Sequence, residues 1–254
     1  MNDGNDMAVA SRRTRKAVLL AGGLGTRLRP ITNNLPKCLV RIADRPILDY
    51  WIDTIHAAGI REILINTHHF REQVVWYIAE TNARRQVRLV ESYEPELLGS
   101  AGTIHANRDW VDDGDDCVII YADNLSNVNL RLVFEFHALH DDPFTMMLFH
   151  TERPHECGIA ELDSENRVVS FIEKPRDPRS DLANAGLYVV SADGYREMAD
   201  IDGFDIGFDI IPRFVGRMRG WVFDGYHRDI GNLDALERAE RDAPQVFGLK
   251  VDRA

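Results

Sequence analysis

The densest chemistry in the chain lies in one short run, Leu20-Ala21-Gly22-Gly23-Leu24-Gly25-Thr26-Arg27-Leu28-Arg29-Pro30, with Pro36-Lys37 a few positions later. The run follows directly on Ala17-Val18-Leu19-Leu20-Ala21, which reads as a buried strand. Glycines placed where a strand ends let backbone N–H groups approach an anion closely, and Arg27, Arg29 and Lys37 add cations that pair with phosphate oxygens. Two better-known glycine motifs do not fit. GxGxxG fails because Leu28 stands where its third glycine should be, and the GxxxxGK(S/T) loop has no match. The loop therefore predicts phosphate binding of another kind, which disfavours a dinucleotide-dependent oxidoreductase. The plain alternative is a glycine turn carrying solvated arginines.

A second centre, this one acidic, is set up by Val118-Ile119-Ile120-Tyr121-Ala122, which reads as a central strand and delivers Asp123 at its carboxyl end. In open α/β sheets that edge is where ligands bind. Glu173-Lys174-Pro175 ends another predicted strand, where the proline stops the strand and holds two charged side chains at its tip. An exposed ion pair is the simpler reading of that dipeptide. Asp112, Asp113, Asp115 and Asp116 read as a solvated loop, and His68 and His69 as loop or strand-end residues without metal-ligand spacing.

The elements that must position these groups alternate short apolar runs with segments of helical period, the pattern of βαβ units. Ile47, Leu48, Trp51, Ile52, Ile55 and Ala58 mark a helix ending at Gly59; Ile63-Leu64-Ile65 reads as a strand; Phe70, Val74, Tyr77 and Ile78 mark a helix, followed by a strand near 87–90. In the second half, 144–149, 158–162, 168–172 and 187–190 read as strands, and Leu233 to Ala239 as a closing helix capped by Asn232. The expected fold class is α/β: a doubly wound, mostly parallel mixed sheet in a single domain over 17–254, preceded by a flexible tail over 1–16.

With 44% hydrophobic and 28% charged residues among 254, the composition is that of an ordinary globular domain large enough for a substantial core. No apolar run reaches the roughly 20 residues needed to cross a bilayer, and no apolar segment of signal-peptide type precedes Ala17. A net charge of -11 argues against nucleic acid as the main partner, which calls for a basic face. Cys38, Cys117 and Cys157 are odd in number and widely spaced, so they read as reduced packing thiols of a cytoplasmic protein. Oligomeric state stays open between monomer and homodimer.

The segment GGLGTRLRP with Pro36-Lys37 resembles the signature of the sugar-1-phosphate nucleotidyltransferases, also called nucleoside-diphospho-sugar pyrophosphorylases. The resemblance continues in order through Leu98-Gly99-Ser100-Ala101-Gly102-Thr103, Ala122-Asp123-Asn124, Glu173-Lys174-Pro175, Asn184-Ala185-Gly186-Leu187-Tyr188 and Asp229-Ile230-Gly231, spanning about residues 17 to 240. It implies a Rossmann-like, GT-A-like nucleotidyltransferase fold and the joining of a nucleoside triphosphate to a sugar 1-phosphate, with release of pyrophosphate.

Two anions can react only if cations neutralise the reacting centre, so the chemistry calls for Mg²⁺, and the resemblance assigns Asp123 and Asp229 to it. On the same basis Arg27 and Lys37 are the catalytic cations on the triphosphate. Leu20, Ala21, Gly22, Gly23, Gly25, Thr26, Gly102 and Asp123 serve the nucleotide; Gly158, Glu173, Lys174 and Asn184 serve the sugar phosphate. The 98–102 segment is closer to the version in guanylyltransferases acting on mannose or heptose 1-phosphate, so GTP is favoured, with UTP, CTP and dTTP open and a hexose, heptose or cyclitol as acceptor. No hexapeptide-repeat tail is expected. A catalytically silent sensor of nucleotide-sugars is disfavoured by the intact charge set. Two departures from the family pattern are Ala122, where glycine is frequent, and His227-Arg228, where an aromatic residue is usual before the last aspartate.

Overall fold

Strand β1 (Arg15–Leu20) of the computed structural model, which describes residues 14–249, is buried from Ala17 to Leu20, and its side chains alternate between two cores. Ala17 and Leu19 face one side with Ile63, Ile65, Val118 and Ile120; Val18 and Leu20 face the other with Leu64, Cys117 and Ile119. Burial on both faces explains why these strands are continuous apolar runs rather than alternating ones.

The chain then makes a two-residue hairpin, β2 (Arg41–Ile42) and β3 (Arg45–Pro46), and enters α1 (Ile47–Ala57). Ile47, Trp51 and Ile55, with Leu48 and Ile52, form the buried stripe of α1. Gly59, at φ 88°, ends the helix: its N–H donates to the His56 carbonyl and that of Ile60 to Ile55, the paired bonds of a Schellman cap. Strand β4 (Glu62–Thr67), α2 (Arg71–Arg84) and β5 (Arg88–Tyr93) follow, then α3 (Gly99–Ala106), β6 (Asp116–Tyr121), the short β7 (Asn124–Ser126) and α4 (Leu130–His137). The second half contributes β8 (Phe144–His150), β9 (Gly158–Leu162), β10 (Val168–Glu173) and β11 (Leu182–Ser191). Next come α5 (Ala192–Asp200), a wide helical turn over Ile206–Ile210 running into α6 (Ile211–Phe214), β12 (Met218–Val222), β13 (His227–Asp229) and α7 (Leu233–Val246). Asn232 caps α7 by accepting from the Ala235 N–H.

Among the described residues the main sheet has nine strands, in the order β10-β9-β11-β6-β1-β4-β5, with β8 on β11 and β12 on β8. Its β6-β1-β4-β5 half is wholly parallel. Strand β11 pairs antiparallel with β6, β8 and β9, so the later strands extend the sheet by hairpin-like additions. A parallel half and a mostly antiparallel half, in which β12 runs parallel to β8, therefore meet along β6 and β11, and Asp123 stands just beyond the end of β6. This is the expected α/β class, a mixed, doubly wound sheet in one domain.

The structure moves several boundaries. Residues 1–13 of the expected tail and 250–254 of the expected domain lie outside the described residues, whereas Arg15 and Lys16 belong to β1 rather than to a tail, Lys16 donating to Asp112 at 2.6 Å. Asp115 and Asp116 are buried, not solvated: the Asp115 carboxylate accepts from the Thr14 N–H at 3.1 Å, and Asp116 opens β6 opposite Arg15. Strand β11 starts at Leu182, which places Asn184 inside a strand.

Candidate functional site

The glycine loop is held from below by one buried side chain. Asn66, at the end of β4, accepts from the N–H groups of Ala21 at 2.5 Å and Gly22 at 3.1 Å. Its amide nitrogen donates to Glu94 at 3.0 Å and Thr103 at 3.2 Å. Glu94 is 1% exposed and also accepts from the Thr103 hydroxyl at 2.5 Å and the Leu98 N–H at 3.2 Å. A carboxylate with no solvent needs such donors, and these come from Asn66 on β4 and from Leu98 and Thr103 in the 98–103 segment. The N–H groups of Ala21 and Gly22 are thus consumed internally. Those of Gly23, Leu24, Gly25, Thr26 and Arg27 have no acceptor among the described residues, so the donors left open lie in the distal half of the loop.

Asp123 and Asp229 come together through a short ladder. β7 and β13 run antiparallel with Asn124 opposite Asp229, and the Ile230 N–H donates to the Asp123 carbonyl at 3.0 Å. Lys37 closes the group: its Nζ lies 2.5 Å from Asp123 Oδ2 and 3.8 Å from Asp229 Oδ1. Although 59% of its side-chain surface reaches solvent, Asp229 sits in a concave wall, and its carboxyl is pushed above the usual range by burial first and by the Asp123 charge second, against Lys37 and Arg27. The pair is thus short of positive charge, with two hard oxygen donor groups facing one space. Among the described residues no cluster of three or more His, Cys, Asp or Glu could cage a metal. Two carboxylates without a cage fit Mg²⁺, which takes one or two protein carboxylates and completes its shell with phosphate oxygens and water.

Two cavities meet at Asp123. The smaller, about 210 Å³, is walled by Leu20, Ala21, Gly22, Gly23, Lys37 and the Leu97-Gly99-Ser100 side. The larger, about 1120 Å³, holds Arg27, Asp229, Gly158, Glu173, Lys174 and Asn184 in its wall. Tyr121, Asp123 and Asp205 belong to both. Gly102 lies within α3 against Leu98, while its neighbours Gly99 and Ser100 reach the small cavity. Gly25 packs against Thr32 and Lys37, and Thr26 opens the short helical turn that carries Arg27.

On the large side, β9 and β10 place Gly158 directly opposite Glu173. A Cβ at 158 would lie 2.3 Å from Glu173 Oε2 and 2.4 Å from the Phe171 ring, so the glycine is what leaves room for the carboxylate. Burial pushes the Glu173 carboxyl up, opposed by Lys174 and reinforced by Asp205. Lys174, at φ 49°, lies 6.0 Å from the Phe208 ring centroid. Asn184 donates to the Tyr188 hydroxyl at 2.8 Å and accepts from the Gly186 N–H at 2.9 Å, so it is oriented by its own strand.

Four residues that the sequence reading did not single out shape the site. Asn66 and Glu94 hold the loops, and Tyr121 and Asp205 join the cavities: Tyr121 donates to Ser100 Oγ at 2.9 Å, and the Asp205 carboxylate accepts from the Gly207 and Phe208 N–H groups at 2.8 and 3.1 Å. The available signal was a polar residue ending an apolar strand, as Asn66 does after Ile63-Leu64-Ile65. At the departure before Asp229, the His227 ring packs 4.8 Å from Phe149, and burial lowers its pKa to about 4, so it is neutral at pH 7. Arg228 is engaged by Tyr226 and Asp242 at 2.9 and 3.2 Å.

A family model described as nucleotidyl transferase matches residues 16–246. A glucose-1-phosphate thymidylyltransferase of Streptomyces griseus is 35% identical over 94% of this chain and 70% of its own length. Mannose-1-phosphate guanylyltransferase 1 of Arabidopsis thaliana is 28% identical over 85% of this chain, which spans only 61% of that relative's length. A Bacillus anthracis crystal structure, provisionally named as a glucose-1-phosphate thymidylyltransferase and holding sucrose, superposes with a TM-score of 0.82 at 21% identity, covering 95% of this chain and 98% of the other. At that identity it shows the shared fold. Among the described residues, no helix is long and apolar enough to cross a membrane.

Proposed function

Because the chain belongs to the nucleotidyl transferase family, in its sugar-1-phosphate branch, we propose that it transfers a nucleoside monophosphate from a triphosphate, GTP by preference, to a sugar 1-phosphate. The products are a nucleotide-sugar and pyrophosphate. The observation that carries this reading is the meeting of Lys37, Asp123 and Asp229 where the two cavities join. One cavity is shaped by a backbone loop and the other by polar side chains, with the charged centre between them.

A phosphate oxygen of the sugar 1-phosphate attacks the α-phosphorus; the new O–P bond forms as the bond to the β-phosphate oxygen breaks, and pyrophosphate leaves. The N–H groups of 23–27 hold the outer phosphates, and Arg27 and Lys37 neutralise charge that grows on the leaving group. Lys174 anchors the sugar phosphate, while Glu173 and Asn184 face the sugar hydroxyls across the space that Gly158 leaves. Asp123 and Asp229 would hold Mg²⁺, which when bound supplies positive charge at the α-phosphate and aligns the two anions. Holding the reactants in line and stabilising the transition-state charge contribute several kcal/mol each.

GTP is favoured by the Leu98-Gly99-Ser100-Ala101-Gly102 segment along the small cavity and by the guanylyltransferase relative. The second reading, dTTP with glucose 1-phosphate, is favoured by the higher identity to the Streptomyces griseus protein. Pyrophosphate release with Mg²⁺, measured for ATP, GTP, CTP, UTP and dTTP against mannose, glucose and heptose 1-phosphates, tests both. Turnover highest with GTP and mannose or heptose 1-phosphate supports the first; dTTP with glucose 1-phosphate selects the second; no turnover with any pair sinks the enzymatic reading.

A further inference from the structure

Lys37 is 9% exposed, and its ammonium has no partners among the described residues other than Asp123 and Asp229. The two carboxylates come from remote parts of the chain and would repel each other at this spacing without a cation between them. Lys37 supplies it. Its Nζ, 2.5 Å from Asp123 Oδ2, uses a donor oxygen that a divalent ion would need at about 2.0–2.1 Å. A doubly charged ion and an ammonium a few ångströms apart in a partly buried wall repel strongly, so both cannot rest on the same oxygens.

We propose that Lys37 is the resident counter-cation of the Asp123–Asp229 pair, which the divalent metal displaces, so that metal alone binds weakly and metal and triphosphate enter together. The side chain has somewhere to go. Lys37 follows Pro36 at the start of a short helical turn, and its Cβ lies 3.1 Å from where a Gly25 Cβ would stand. Its stem thus leans on the loop whose free N–H groups, in the proposed reading, take the outer phosphates, and a swing of the flexible chain would trade two carboxylates for the triphosphate. By linkage, the anion that captures the ammonium strengthens metal binding, and the metal strengthens binding of the anion. The inference rests on the proposed metal role of Asp123 and Asp229.

The test is calorimetric titration of Mn²⁺ into the protein alone and into protein saturated with a non-hydrolysable GTP analogue, for wild type, Lys37→Met and Asp123→Asn. Lys37→Met keeps the apolar stem and removes the charge. It should bind Mn²⁺ about tenfold more tightly than wild type without nucleotide, as for loss of a neighbouring like charge, and no more tightly with the analogue present. Unchanged or weaker affinity without nucleotide overturns the proposal; so does equal tightening in both states, which signals only a more negative field. Lys37→Gln supplies the comparison if the methionine variant does not fold. If Asp123→Asn binds Mn²⁺ as wild type does in both states, it is the underlying metal assignment that fails. A variant-free readout is the Lys37 side-chain ¹⁵N resonance, which Mg²⁺ alone should leave in place and Mg²⁺ with the analogue should shift.

Discussion

The loop side and the strand-end side of the cleft are built by different means. On the loop side the groups open to the cleft are backbone N–H donors of one contiguous segment, whose start is held by Asn66, itself bonded to Glu94 and Thr103. On the other side they are the side chains of Glu173 and Lys174 at the end of β10 and of Asn184 on β11, with Gly158 leaving room for Glu173. A rigid backbone nest suits a polyphosphate, whose oxygens are alike, and costs no side-chain entropy. A wall of individual side chains suits a ligand whose hydroxyls point in particular directions, and it can be altered one residue at a time. The charged centre at the junction borders both sides, Asp123 lining each cavity.

That contrast predicts separable damage. Asp123→Asn, which strikes the junction, should lower kcat by roughly 100- to 1000-fold, as for loss of one transition-state stabiliser. Pyrophosphate release near the wild-type rate would remove Asp123 from the mechanism. Asn66→Ala should injure the loop side alone. It orphans two N–H groups, the buried one of Gly22 and the half-buried one of Ala21, and part of the Glu94 shell, so urea denaturation should show a loss of about 2–4 kcal/mol, with a raised KM for triphosphate and little change for the sugar phosphate. A KM increase shared equally by both substrates would contradict the division. Gly158→Ala should injure the strand-end side alone: overpacking against Glu173 and Phe171 predicts about a tenfold rise in KM for the sugar 1-phosphate, while the KM for triphosphate stays put.

The same division decides what could be read in advance. The loop, β1 and Asp123 were legible because each is local: an apolar run buried on both faces, then glycines or an acid at its carboxyl end. Helix α1 and its cap at Gly59 were legible from periodicity. The roles of Asn66 and Glu94 were not, because each acts across the fold on backbone far away in sequence. Strands β7 and β13, three residues each, are too short to carry a pattern, yet their pairing is what brings Asp229 to Asp123. Helix α3 begins Gly99-Ser100-Ala101-Gly102, with no amphipathic stripe, so the sequence pattern gives no helix there. Asp115 and Asp116 looked solvated because four acids cluster there, but the start of β6 buries two of them.

The central claim is that both phosphorylated substrates sit together around the Lys37–Asp123–Asp229 centre and react directly with each other. Stereochemical analysis with a triphosphate made chiral at the α-phosphorus by sulfur substitution tests it: a single in-line displacement predicts a nucleotide-sugar with inverted configuration. Retention would mean that a group on the protein takes the nucleotide first, and that the two substrates need never meet in this cleft.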